Sequence, residues 1–190
     1  MEDRSTDGYH VPRSPIVDLY RLGSTYRWQV VHTSKEQSVA EHSHMVALLV
    51  LRFCQILGLP PLAYITYALL HDSEEAWIGD IATPAKRMMD QSHLPIKKML
   101  GVFHTYLHLD DQRLVKPLVK LADDVEAMKF LSTYAPTKHG AQVYDRINKH
   151  AAGTMRGLKE NHPDGKWDLV QDEIEDFLNA PNETFADDYI

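Results

Sequence analysis

The sequence predicts an all-α fold, a single-domain helical bundle, on three observations. Apolar residues recur at helical spacing along most of the chain, with little of the alternation that marks strands. Glycine and proline punctuate these stretches at short intervals, so the connections are short and successive helices pack as neighbours. A chain of 190 residues with 44% hydrophobic content holds enough material for one core, with no internal repeat or low-complexity tract.

Each element follows from local chemistry. Ser14-Pro15 suits an N-cap followed by proline at the first helical position, and Ile16, Leu19, Tyr20 and Leu22 then carry a short helix to Gly23. Residues 24–37 are polar and aromatic and read as a loop. Ser38-Val39-Ala40-Glu41 is a capping box that opens a helix running to about Leu57, stopped by Gly58 ahead of Pro60-Pro61. A third helix is expected over Leu62–Ile78 with Gly79 at its end, followed by a loop over Asp80–Pro84. Further helices are expected near Pro95–Leu107, Pro117–Tyr134, Lys138–Lys159 and Trp167–Leu178. The bundle occupies residues 14–180, between a loose N-terminal arm (1–13) and an acidic tail (181–190).

Composition narrows the function classes. A net charge of -7 argues against a broad nucleic-acid-binding face, but a small anionic substrate remains compatible if a metal and a few cations converge. Cys54 is the sole cysteine, so no intramolecular disulfide forms, and it reads as a small core residue. No apolar run reaches the roughly 18 residues of a membrane span, and the polar start (MEDRSTDGYHVPR) lacks a secretory signal. The expected compartment is the cytoplasm, with no membrane partner.

Three segments can carry chemistry. His42 has Val46, Leu49 and Phe53 at i+4, i+7 and i+11, which puts it on the buried face of its helix. By itself it reads as a core histidine satisfied by one hydrogen bond. Leu69-Leu70-His71-Asp72 sinks two ionisable groups at the end of an apolar run, where a carboxylate is costly unless paired or bound to a metal. Asp123 lies in Leu121-Ala122-Asp123-Asp124-Val125; Asp124 is its rival, and a pair with Lys120 or Lys129 is the bland alternative. Two imidazoles and two carboxylates make a mixed N/O site for a divalent ion such as Zn, Co or Mn, with Mg a further candidate. Such an ion lowers the pKa of bound water from about 16 to near 7.

The order His42, His71-Asp72, Asp123 resembles the HD-domain phosphohydrolase superfamily. Arg27-Trp28 leading to Ser38–Ser43, and His71–Ala76 followed by Gly79–Lys86, resemble the branch that holds the YfbR-type 5'-deoxynucleotidases and the phage DatZ-type deoxyadenosine triphosphatases. The likeness covers roughly residues 16–135 and implies an HD-type helical bundle. It implies that His42, His71, Asp72 and Asp123 ligate the metal and that Glu75 is the catalytic carboxylate, with Glu74 its rival. It further implies that Trp28 stacks on the base with Arg27 beside it, that Pro84 closes over the base, and that Asp80 lies near the sugar. Lys86 and Lys120 would contact phosphates. Trp28 has an alternative as a loop residue packed on the core, Lys86 and Lys120 as surface lysines, and Thr83-Pro84 as a turn. His32, His44, His93, His104, His108, His139, His150 and His162 read as structural or surface residues.

The expected activity is hydrolysis of a deoxynucleotide, a dATP or other dNTP triphosphohydrolase releasing deoxynucleoside and triphosphate. The alternatives are a 5'-deoxynucleotidase acting on dNMPs and a non-catalytic nucleotide-binding module. The family forms homo-oligomers, so a dimer or hexamer is expected, in the host cytoplasm if the chain is phage-encoded. Replacing His71 or Asp72 should abolish both metal binding and turnover; full turnover by either variant under chelation would place the site elsewhere.

Overall fold

The computed structural model describes residues 15–86 and 112–181. The expected helix at Pro95–Leu107, the N-terminal arm with the Ser14 cap, residues 182–190, and His93, His104 and His108 lie outside them. In chain order the helices are α1 (Pro15–Leu19), a 3-10 turn (Tyr20–Ser24), α2 (Val39–Leu57), α3 (Pro61–Leu70), α4 (Glu75–Ile78), α5 (Thr83–Lys86), α6 (Gln112–Tyr134), α7 (Lys138–Asn161) and α8 (Trp167–Asn179). Among the described residues there is no strand, only one bridge between Tyr26 and Ser38 that pins the loop before α2. None of the described helices is long and apolar enough to cross a membrane.

Helix α6 is the axis of the bundle. Leu114, Val115, Leu118, Val119, Leu121, Ala122, Val125, Met128 and Leu131 are all buried and cover most of the helix, leaving a stripe with Arg113, Lys116 and Lys120 exposed. So broad an apolar face must be covered by several neighbours. Here α2, α3, α7 and α8 cover it. The buried residues of α2 (Val46, Leu49, Val50, Phe53 and Cys54) pack on the same core. Burial pushes the Cys54 thiol up to about 11, which makes it a poor nucleophile.

The capping box at α2 forms as expected. The Ser38 hydroxyl accepts from the Glu41 amide at 3.1 Å, and the Glu41 carboxylate accepts from the Ser38 amide at 2.7 Å. Gly58, left-handed at φ 69°, ends the helix by donating to Cys54 and Gln55 carbonyls.

Three expectations change. The helix expected over Leu62–Ile78 stops at Leu70, and residues 71–74 form tight turns before α4. Amides three residues on take over: Ser73 donates to Leu70 O, Glu75 to Asp72 O and Ala76 to Ser73 O. The segment expected as a loop over Asp80–Pro84 turns helical at Thr83, where α5 starts, because Ala82 O accepts from both Ala85 and Lys86. Helix α6 runs through Pro117 rather than starting there. Proline removes one backbone hydrogen bond in a helix interior, and the burial of Leu114 and Val115 on the preceding turn offsets that loss.

The core assignment is measurable. Leu118→Ala, at a fully buried position on α6, should lower unfolding free energy by about 2–5 kcal/mol. Leu62→Ala, at a position 75% exposed, should change it by no more than about 0.5 kcal/mol. Urea titration measures both; equal losses would mean that α6 is not the axis.

Candidate metal centre

The tight turn after α3 brings two imidazoles together. The rings of His42 on α2 and His71 at the end of α3 lie 5.4 Å apart between centroids, and α6 delivers Asp123 to the same point. His42, His71 and Asp123 each offer a ligand atom within 4.8 Å of the others. His42 Nε2 is 3.1 Å from Asp123 Oδ1 and 3.7 Å from Asp72 Oδ2. His71 Nε2 is 3.3 Å from the same Asp72 oxygen. All four expected ligands therefore converge, with Asp72 flanking the other three.

The hydrogen bonds on the far sides of the rings decide what this cluster can hold. His71 Nδ1 bonds the Ala68 carbonyl at 2.6 Å, so it carries the proton. His42 Nδ1 meets Glu126 Oε2, and so carries one too. Both Nε2 atoms are then lone-pair acceptors, and both are buried without a hydrogen-bond donor among the described residues. Paired buried acceptors facing carboxylates have no internal partner, whereas a divalent cation satisfies all of them at once. The donor set of two nitrogens and two carboxylates fits a borderline transition metal.

Without a metal, the same carboxylates favour a proton on His42 in the place an ion would take. Burial and the nearby Arg27 guanidinium oppose a charge on His42, but hydrogen bonds to the Asp123 and Glu126 carboxylates, which accept, outweigh them and hold its pKa above the ordinary value. Burial works against ionised Asp123, yet His42, Lys120 and His71 hold its pKa well below the usual carboxylate range. Asp124 points away: its carboxylate takes Lys120 at 2.8 Å and His150 at 2.5 Å. Of the two adjacent aspartates, Asp123 alone faces the histidines.

Around the cluster lie the other expected residues. Glu75 is buried, and one carboxylate oxygen pairs with Lys86 at 2.6 Å while Oε2 has no partner among the described residues. Burial first, then the charge of Asp72, pushes its pKa up to about 7 against the pull of Lys86. Its rival Glu74 is only half-buried and starts α4 without a side-chain cap. Lys120 reaches Asp123 Oδ2 at 2.5 Å. Pro84 lies within α5, but its side chain is outside the described part of the structure.

Arg27 and Trp28 are more committed to the protein than their expected substrate roles suggest. Arg27 donates to Gln37 at 3.3 Å and to Glu126 at 3.2 Å, and lies over the Trp28 ring at 4.9 Å. Trp28 stacks on Phe130 at 5.9 Å and donates its indole N–H to Gln37 at 2.9 Å. Its backbone is left-handed, φ 68°, a conformation that costs a non-glycine residue roughly 1–2 kcal/mol. Asp80 holds it there by accepting the Trp28 amide at 3.0 Å. Gly79, at φ 74° and ψ 171°, makes the bend that only glycine adopts readily and delivers Asp80.

Two residues absent from the sequence expectations complete the network. Glu126 takes His42 Nδ1, Arg27 and the Gln37 amide, the last at 2.6 Å. Gln37 joins Glu126 to the Trp28 indole. The available signal was an ionisable side chain one helical turn beyond Asp123 in an otherwise apolar stretch. Glu126→Gln should weaken divalent-metal affinity about 10- to 100-fold by loosening the His42 ring. Asp124→Asn should not. Competition against a metal-binding dye measures both, and unchanged affinity in Glu126→Gln would remove it from the centre.

Comparison with known proteins agrees with this geometry. The family model described as 5'-deoxynucleotidase YfbR-like matches residues 16–99. A dATP triphosphohydrolase of Salmonella phage PMBT28 is 34% identical over 152 residues, covering 70% of this chain and 78% of that protein. A dATP triphosphohydrolase of Acinetobacter phage SH-Ab 15497 is 28% identical over 202 residues, covering 92% and 96%. Among solved structures, the cyanophage S-2L HD phosphohydrolase DatZ, bound to dA and one catalytic Zn2+ ion, superposes with a TM-score of 0.63 at 22% identity, covering 90% of this chain and 98% of that one. A conserved hypothetical protein of Pyrococcus furiosus gives 0.61, also at 22% identity, covering 85% and 97%. At such identities the structural likeness concerns the fold; the sequence relationship to the phage enzymes carries the rest. The chain belongs to the YfbR-like family of HD-domain phosphohydrolases.

Proposed function

We propose that this protein hydrolyses dATP to deoxyadenosine and inorganic triphosphate in a metal-dependent reaction. The observation that carries the reading is the pair of buried, donor-free Nε2 atoms of His42 and His71 facing Asp72 and Asp123, in a chain 34% identical to a phage dATP triphosphohydrolase.

His42, His71, Asp72 and Asp123 would hold the ion, with zinc, cobalt or manganese suited to the donor set. A divalent ion there supplies Lewis acidity to water and to a phosphoryl oxygen. The reaction forms a bond from the water oxygen to the α-phosphorus and breaks the bond from that phosphorus to O5', which takes up a proton as the deoxynucleoside leaves. Glu75 is the group to handle that proton. Its raised pKa, about 7, lets it give or take one near neutrality. Lys86 holds Glu75 in place and, with Lys120, brings positive charge to the phosphate side. Arg27 and Gln37 set the Trp28 ring, and Trp28 and Asp80 form one wall for the nucleoside.

A second reading, 5'-deoxynucleotidase activity on dNMPs, is favoured by the match to the YfbR-like model. A monophosphate sheds the same O5' alkoxide, so a protonated Glu75 serves both substrates equally. The two readings part at the phosphate chain. Incubating the protein with each dNTP, NTP and dNMP plus Mn, Co, Zn or Mg, and identifying the phosphate released, separates them. Triphosphate from dATP is expected. Orthophosphate from dAMP with no reaction of dATP would establish the second reading, and tight nucleotide binding without turnover under any metal would sink both.

A further inference from the structure

Gln37 sits between two parts of the site that have different tasks. It is 5% exposed and lies just before the Ser38 cap of α2. Its backbone carbonyl accepts the Arg27 amide at 2.9 Å, and the Thr25 carbonyl accepts the Val39 amide at 2.8 Å. These two bonds zip the arms of the loop together and place the Gln37 side chain beside Arg27 and Trp28. Its amide then makes three contacts. Nε2 donates to Glu126 Oε1 at 2.6 Å, and Oε1 accepts the Trp28 indole N–H at 2.9 Å and the Arg27 guanidinium at 3.3 Å.

Only one orientation of that amide works. A carboxylate accepts and never donates, while an indole N–H and a guanidinium donate and never accept. Turning the amide over would set its oxygen against Glu126 and its nitrogen against two donors. Glu126 therefore fixes which end of Gln37 meets Trp28. The same carboxylate uses its other oxygen, Oε2, for His42 Nδ1. Phe130 stacks on the Trp28 ring with 4° between the planes, so the ring is held at a face as well as at its N–H edge. Gln37 thus joins the carboxylate that braces His42 to the ring proposed as one wall for the nucleoside.

We infer that Gln37 is a positioning residue that makes nucleoside affinity depend on Glu126, by holding the Trp28 ring in place before the nucleoside arrives. This deepens, and rests on, the reading of Trp28 as a wall for the nucleoside. A ring fixed in advance spares the ordering cost that binding would otherwise carry, which amounts to roughly three- to tenfold in affinity for one side chain. The dependence on Glu126 follows from its two oxygens. In Glu126→Gln a single oxygen replaces two, and Gln37 and His42, which use different oxygens, cannot both keep their acceptor.

The test measures the affinity of the full chain for 2'-deoxyadenosine by calorimetry at saturating manganese. Gln37→Met keeps the length of the side chain without its amide, and Trp28→Phe keeps a ring without the N–H. These are compared with Glu126→Gln and with Gln37→Met combined with each of the other two. Thermal unfolding checks that each variant is folded, and Gln37→Asn, one methylene shorter, takes the place of Gln37→Met if that variant is not. The expected result is a loss of about three- to tenfold for each single variant and little further loss in either double variant, because all three break one chain of contacts. In Gln37→Met, KM for dATP should rise by the same factor, with kcat within about twofold and manganese affinity within about threefold of the wild type. The inference is overturned if the wild type does not bind deoxyadenosine, if Gln37→Met binds it as the wild type does, or if the losses in the double variants add. It is equally overturned if kcat and manganese affinity fall together with nucleoside affinity, which would mark a merely structural role. Turnover of dATP by the wild type separates these failures from that of the triphosphatase reading. Any of them beside normal turnover removes Gln37 alone. Non-additive losses in a protein that binds deoxyadenosine without hydrolysing dATP would overturn the triphosphatase reading and leave Gln37 in its role.

Discussion

The rest of the centre depends on one buried contact, that between His42 Nδ1 and the carboxylate of Glu126. Both groups lie inside an apolar bundle, where a carboxylate without partners is not tolerated and the loss of one member of a buried pair costs about 3–5 kcal/mol. Glu126 resolves this by taking three donors, His42, Arg27 and Gln37. The consequence for chemistry is direct. With its proton held at Nδ1, His42 must present a lone pair at Nε2, toward Asp123. The same carboxylate that makes burial tolerable also sets the tautomer.

From Glu126 the constraint spreads in two directions. Through Gln37 and Arg27 it reaches Trp28, whose left-handed backbone is held by Asp80 on the far side of the loop. Along α6 it reaches Asp123, one helical turn back, whose two oxygens divide between His42 and Lys120. A single helix thus carries both the brace for His42 and Asp123, which faces it. Because Glu126 lies on the packed side of α6, it cannot shift without disturbing the core around it. That rigidity is what a site needs if hydrogen bonds are to hold two rings in fixed orientations.

The fold was largely legible because its signals are local. The capping box at Ser38 and Glu41, the left-handed Gly58 and the apolar spacing of α2 each act within a few residues, and each forms as its chemistry requires. The boundaries that moved are those where tertiary contacts overrule local preference. The helix through Leu70 gives way to tight turns where His71 bonds back to Ala68, and α6 continues through Pro117 because the residues before it are buried.

The sequence by itself determined the helical class, the buried face of His42, and a set of histidines and aspartates whose order matches a family of metal-dependent phosphohydrolases. It could not choose between Asp123 and Asp124, which are neighbours in the chain and equal in composition. The tertiary structure decided that, because the 100° between successive helical residues turns one carboxylate toward His42 and the other toward Lys120 and His150. Nor could it find Glu126 or Gln37, or see that Arg27 and Trp28 are held by them. Their partners lie 84 to 99 residues away for Glu126, and only the packing of α2 and the preceding loop against α6 brings them into contact.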